Sequence, residues 1–207
     1  MSLKILKSIV NKIEKTCVYD IAIRTPLEKA SNLSRKLDNN IFIKREDLQP
    51  IFSFKLRGAY VKIKNLIDKR KIKSIIAASA GNHAQGVAMS ALKLGIKAII
   101  VMPKTTPLIK IDAVKLLKAK VILHGDSYDD AYLYAVKKSK SDKLEFIHPY
   151  DDEDVISGQG TMAMEILQQV DNKPDYIFIP VGGGGLLAGI VAYFSVHSPN
   201  TKIITVE

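Results

Sequence analysis

From residue 40 onward, short β-branched runs alternate with stretches whose apolar residues recur at helical spacing. No other feature constrains the fold as much. Ile41-Phe42-Ile43 marks a strand over Asn40–Lys44, and Lys55–Lys69 follows as a helix. Further strands are expected at Ser74–Ala78, Lys97–Met102, Lys120–Leu123, Glu145–Ile147, Tyr176–Pro180 and Lys202–Val206. Helices are expected at Asn82–Leu94, Pro107–Lys118, Ser127–Lys138, Thr161–Val170 and Leu186–Phe194. Such alternation implies an α/β fold of parallel sheets with flanking helices. Ahead of it, Leu3, Leu6, Val10 and Ile13 fall at helical spacing within Met1–Thr16. That segment has no arginine and contains Glu14, so it reads as a docked helix rather than a transit peptide. At the other end, Ile203 to Val206 reads as an apolar strand with nothing after Glu207 to cover it. A parallel sheet rarely ends that way, so the fold is expected to continue in a longer sequence, with its C-terminal part missing here.

The net charge of +10 raises the question of nucleic acid. The lysines are spread along the chain, tryptophan is absent, and the aromatics do not alternate with basic residues. The charge therefore reads as a solvated surface, with no nucleic-acid partner. No apolar run approaches the ~20 residues that span a bilayer, so no membrane partner is expected. The single cysteine, Cys17, precludes an internal disulfide and fits a reducing compartment such as the cytoplasm. Asp151, Asp152 and Asp154 cluster, but as a solvated turn rather than a metal site.

Three segments at the expected ends of strands each open a helix, where ligands of α/β proteins collect. Gly182-Gly183-Gly184-Gly185 can bring backbone N–H groups against an anion. The helix start behind them adds partial positive charge. No Gly-Lys-Ser/Thr follows, which excludes a Walker loop. Gly183, Gly185 and Ala188 fit a looser dinucleotide pattern, and Glu207 stands 24 residues after Gly183. On its own, then, the loop fits a dinucleotide, another phosphate or a tight turn. Lys55 stands at a helix start beside Phe54, where charge and burial both favour its neutral, nucleophilic form. It also reads as one surface lysine among many. Ser79-Ala80-Gly81-Asn82-His83 can hold a carboxylate on free N–H groups, or serve as an ordinary cap with Ser79 as its first residue. A dinucleotide uses only the glycine loop, whereas pyridoxal phosphate uses all three segments.

These segments resemble a known family. Ser53-Phe54-Lys55-Leu56-Arg57-Gly58-Ala59, Ser79-Ala80-Gly81-Asn82-His83-Ala84-Gln85-Gly86 and Gly182-Gly183-Gly184-Gly185-Leu186 are similar to the signatures of threonine and serine dehydratases, which are fold-type-II pyridoxal-phosphate enzymes. The order and the separations, 27 residues from Lys55 to Asn82 and 100 from Asn82 to Gly182, also agree. Lys44 to Pro50, Ile109 to Lys115 and Ile156 to Thr161 resemble the biosynthetic threonine branch; serine dehydratases and serine racemases are the alternatives within the family. Cysteine synthases resemble the chain in fold but carry a different asparagine loop.

The resemblance implies a tryptophan-synthase-β-like fold. Residues 1–51 and 154–207 would form a large domain, and residues 52–153 a small domain inserted into it. It implies pyridoxal 5'-phosphate as cofactor, held by Phe54, Lys55, Asn82, Gly182, Gly183, Gly184, Gly185 and Leu186. Lys55 would bond the cofactor and act as general base. Ser79, Ala80, Gly81, Asn82 and His83 would bind the carboxylate of an amino-acid substrate. The implied reaction is the conversion of L-threonine to 2-oxobutanoate and ammonia, the first step of isoleucine biosynthesis, in a cytoplasmic enzyme that forms a homo-oligomer when complete. A residue that contacts the pyridine nitrogen in the family lies beyond Glu207, so a non-catalytic remnant is the competing reading.

Overall fold

The computed structural model describes residues 3–207. The chain opens with α1 (Leu3–Glu14), β1 (Leu27–Lys29), α2 (Ser31–Lys36) and β2 (Phe42–Lys44). β1 and β2 form an antiparallel pair. Val10 and Ile13 of α1 are buried and Leu6 packs beside them, as the helical spacing requires. Met1 and Ser2 of that expected helix, and the Leu3 side chain, lie outside the described residues.

The middle of the chain runs α3 (Lys55–Arg70), β3 (Ser74–Ala78), α4 (Asn82–Lys93), β4 (Lys97–Met102), α5 (Leu108–Leu116), β5 (Lys120–Leu123), α6 (Tyr128–Ser141) and β6 (Glu145–Phe146). Its strands form one parallel sheet in the order β5-β4-β3-β6. Alternation along β3 explains why both faces are covered. Ile75 and Ala77 pack with Ala59 and Ile63 of α3 and Ala84 and Val87 of α4. Ile76 and Ala78 point the other way, onto Ala131 and Ala135 of α6.

The remainder comprises α7 (Glu153–Gln169), β7 (Tyr176–Pro180), α8 (Gly185–His197) and β8 (Lys202–Val206), with β7 and β8 parallel. Helices α1, α7 and α8 share a core of Ile9, Val10, Ile13, Met162, Ile166, Ile190 and Phe194. Helix α7 meets its neighbours backbone to backbone. A Cβ on Gly158 would stand 2.6 Å from the Gly58 Cα on α3, and one on Gly189 of α8 would stand 2.7 Å from the Gly160 nitrogen.

Most strands have the expected bounds, but helix starts differ for physical reasons. Helix α7 was expected from Thr161 and begins eight residues earlier, because Asp152 caps it by accepting from the N–H groups of Asp154 and Val155. The glycines of Ser157-Gly158-Gln159-Gly160 look like helix breakers in sequence but serve as crossing points. Pro107 caps α5 from outside rather than entering its first turn. The acidic turn is engaged within the chain: Lys62 pairs with Asp152 at 2.6 Å, and Asn65 donates to Asp154 at 3.0 Å. No described helix is long and apolar enough to cross a membrane.

Candidate active site

Lys55 is the first residue of α3, with Phe54 in the cap position and no side-chain cap. It is half-buried. Its ammonium donates to the Pro149 carbonyl at 3.2 Å and lies 5.6 Å from the centre of the Phe54 ring. No carboxylate among the described residues pairs with it. Burial therefore acts unopposed and pulls its pKa below the ordinary lysine range. Phe54 leans toward the core shared by α1, α7 and α8. It also lines a groove of about 860 Å³ that opens between the β1–β2 pair and β7, with Phe42, Ile43 and Phe178 among its walls.

Ser79 and Ala80 form the half-buried turn after β3, and Gly81 caps α4. Of the two readings left open for this segment, the one with Ser79 as the helix cap does not hold. Its hydroxyl accepts from the Gly81 N–H at 3.2 Å, so it shapes the turn and leaves the first N–H groups of α4 without a side-chain cap. Asn82 is exposed on the first turn. His83 is buried, with Nε2 3.1 Å from the Ile147 carbonyl. Burial pushes its pKa down to about 4, which keeps it neutral at pH 7. Its side chain belongs to the core, so only its backbone N–H is free to meet a carboxylate.

The glycine loop follows β7. Gly182 and Gly183 are exposed, Gly184 caps α8 with φ of +83°, and Gly185 and Leu186 begin the helix. Leu186 buries its side chain in the core, leaving only its backbone to face a ligand. As with α4, no side chain caps α8. Elsewhere Asp152 caps α7, and Ser127 and Asp130 form a capping box on α6, whereas α2 and α5 also start without a side-chain cap.

One segment draws the three loops together. In Ile147-His148-Pro149-Tyr150, the Ile147 carbonyl meets His83, the Pro149 carbonyl meets Lys55, and the Tyr150 ring lies against Gly183. Lys55 and the asparagine loop are also close through backbone, since a Cβ on Gly86 would stand 3.0 Å from the Lys55 carbonyl oxygen. Sequence reasoning missed this segment. Its only local signal is the cluster His148-Pro149-Tyr150 directly after a strand.

It also missed the ion network behind the lysine turn. Arg57 is fully buried and donates to Glu46 at 2.7 Å and Glu165 at 2.5 Å. Lys44 reaches the same Glu165 at 2.5 Å, and Tyr19 donates to it at 2.8 Å. Burial works against the Arg57 charge, but hydrogen bonds to the two carboxylates outweigh it and raise its pKa further. For Glu165, burial is likewise outweighed, by Arg57 and Lys44, and its pKa falls. A glutamate on the Met162–Ile166 face of an apolar helix was the available clue.

These features fit pyridoxal phosphate. An aldehyde needs an uncompensated amine, which Lys55 offers. A phosphate needs N–H groups and space, and the loop supplies both: an added Cβ at Gly182 or Gly184 would meet nothing within 4 Å.

Comparison with known proteins points the same way. The family model described as pyridoxal-phosphate dependent enzyme matches residues 18–207. The chain is 56% identical to threonine dehydratase 1 biosynthetic, chloroplastic, of Solanum lycopersicum over 92% of its own length and 31% of the relative's. It is 55% identical to L-threonine dehydratase biosynthetic IlvA of Haemophilus influenzae, over 92% of this chain and 37% of that one. Among solved structures, the processed form of threonine deaminase isoform 2 from Solanum lycopersicum superposes with a TM-score of 0.95 at 49% identity, covering 99% of this chain and 56% of that one. Maize serine racemase superposes at 0.91 with 30% identity, over 96% of this chain and 60% of that one. The chain thus spans well under half the length of these two curated relatives.

Proposed function

Because the chain belongs to the family of pyridoxal-phosphate dependent enzymes, we propose that it carries the lysine, carboxylate-binding and phosphate-binding parts of a threonine dehydratase, which converts L-threonine to 2-oxobutanoate and ammonia. The reaction is the entry step of isoleucine biosynthesis, and we set it in the cytoplasm. Plant relatives named as chloroplastic place the same family in a plastid. The observation that carries the reading is a half-buried amine with no counter-ion, joined through one short segment to two uncapped helix starts.

In this reading Lys55 holds the cofactor. When bound, the pyridine ring of the cofactor accepts the electron pair left on the substrate Cα. Lys55 is a suitable base for the Cα proton, because burial favours the neutral form of its amine. The free N–H groups from Gly81 to His83, at the positive end of α4, bind the substrate carboxylate. The exposed Asn82 amide is free to donate to a ring oxygen. Gly182 to Gly185 and the Leu186 N–H receive the phosphate. Residues 1–51 with 154–207 act as one domain and residues 52–153 as a second, with the site between them.

Borohydride reduction of the chain with pyridoxal phosphate, followed by peptide mapping, should label Lys55; label on another lysine would sink the assignment. Keto-acid analysis tests the substrate. 2-Oxobutanoate from L-threonine is expected, whereas racemised serine or predominant pyruvate from serine would move the protein to a sister activity. The serine-directed alternative rests on the racemase likeness, at 30% identity against 49% for the threonine enzyme.

A further inference from the structure

The four loop glycines divide into two kinds. Gly182 and Gly184 face open space, where a Cβ would meet nothing within 4 Å. Gly183 and Gly185 face Tyr150. A Cβ on Gly183 would stand 2.0 Å from Cδ1 of its ring, and one on Gly185 would stand 2.9 Å from its carbonyl oxygen. The ring therefore occupies the volume that a side chain at Gly183 would need.

Tyr150 is itself held in place. The His148 ring meets it edge-on, with centres 4.8 Å apart. His148 Nδ1 accepts from the Asp151 N–H at 2.9 Å, which ties the ring to the backbone just after Tyr150. The preceding carbonyl, that of Pro149, is the one that receives the Lys55 amine.

We infer that Tyr150 is a positioning residue for the phosphate loop, and that Gly183 is glycine to receive the Tyr150 ring rather than to admit the ligand. The inference rests on the cofactor reading above. A flat ring under Gly183 supports the turn from below and aims the loop's N–H groups outward. The same stretch presents the Pro149 carbonyl to Lys55, so one segment sets both the phosphate end and the amine end of the site. Tyr150 acts through the loop and touches no reacting atom.

The test uses two aldehyde probes on the 207-residue chain, pyridoxal phosphate and pyridoxal, each titrated by the absorbance change on capture. Tyr150→Ala should weaken pyridoxal phosphate at least ~10-fold, since a loop misplaced by about 1 Å can cost up to ~10²-fold. Capture of pyridoxal, which lacks the phosphate, should change little. Tyr150→Phe should behave as the parent. Gly183→Ala should weaken pyridoxal phosphate when Tyr150 is present and add no further loss in the Tyr150→Ala background, because the ring it clashes with is gone. Equal losses for both probes, or an additive double variant, overturn the inference. Thermal melting checks that each variant is folded. If Tyr150→Ala is not, Tyr150→Leu takes its place in the cycle, and Gly183→Ala alone must still lose pyridoxal phosphate selectively. A parent chain that captures neither probe overturns the cofactor reading itself and this inference with it, a result distinct from a parent that captures both and variants that do not discriminate.

Discussion

Lys55 and Arg57 stand two residues apart at the start of α3, and the chain treats their charges in opposite ways. Arg57 turns into the core, where two carboxylates, Glu46 and Glu165, meet its guanidinium and Thr161 adds a hydroxyl. Lys55 reaches one carbonyl, that of Pro149, and no anion among the described residues. Burial opposes the charge at both sites. At Arg57 the carboxylates outweigh it, and at Lys55 nothing does. Burial thus serves two ends within one helical turn. With counter-ions it anchors the helix, and without them it lowers the pKa of the amine.

The comparison is broken most severely by removing the anchored cation. Arg57→Met leaves Glu46 and Glu165 buried and facing each other with Lys44 as the remaining cation. The expected loss is ~3–5 kcal/mol, as for other buried pairs stripped of one partner. Denaturant unfolding measures it, and a loss below ~1 kcal/mol would mean that the network relaxes into solvent.

A second challenge uses pH and a third buried base. His83 has a folded-state pKa of about 4, below its unfolded value near 6.5. The unfolded chain therefore binds a proton across that window and the folded chain does not. Stability contributed by neutral His83 is full above about pH 6.5 and is lost as pH falls toward 4, by up to ~3 kcal/mol. His83→Asn should flatten that slope in unfolding curves taken between those limits. An unchanged slope would assign the acid sensitivity to the carboxylate network instead.

The smallest effect on stability sharpens the contrast. Lys55→Met removes a desolvated ammonium that has no anion, so the unfolding midpoint should hold or rise, by no more than ~1 kcal/mol. Aldehyde capture should vanish in the same variant, and turnover of the complete enzyme should fall at least ~10²-fold. A clear loss of stability would show that Lys55 has a counter-ion after all, contrary to the geometry.

These contrasts also mark how far the sequence could be read. The strands Ser74–Ala78, Lys97–Met102, Lys120–Leu123, Tyr176–Pro180 and Lys202–Val206 stand where β-branched runs put them, because burial on the sheet and local propensity agree there. Helix α7 was half-legible. Its glycines obey a tertiary demand, close approach to α3 and α8, that no local rule encodes. The three candidate loops were readable because glycine, asparagine and a lysine at helix starts are chemically unusual. The role of Ser79 was not, since a turn and a cap use the same hydroxyl. Tyr150 and Glu165 left only faint local signals, for a plainer reason. Each acts on residues far away in the chain, Gly183 in one case and Arg57 in the other, and a single sequence carries no record of such pairs.

The double crossing of α7 bears on how the site responds to heat. Gly158 touches the helix that begins with Lys55, and Gly160 touches the helix that begins at the glycine loop, with no side chain between the backbones. A packed side chain can change rotamer and let its neighbours drift, whereas two peptide backbones in contact have no such freedom. The span from the start of α3 to the glycine loop is therefore set by backbone contacts among three helices. Warming the protein should loosen the exposed β7–β8 pair and the long surface side chains well before it changes that span.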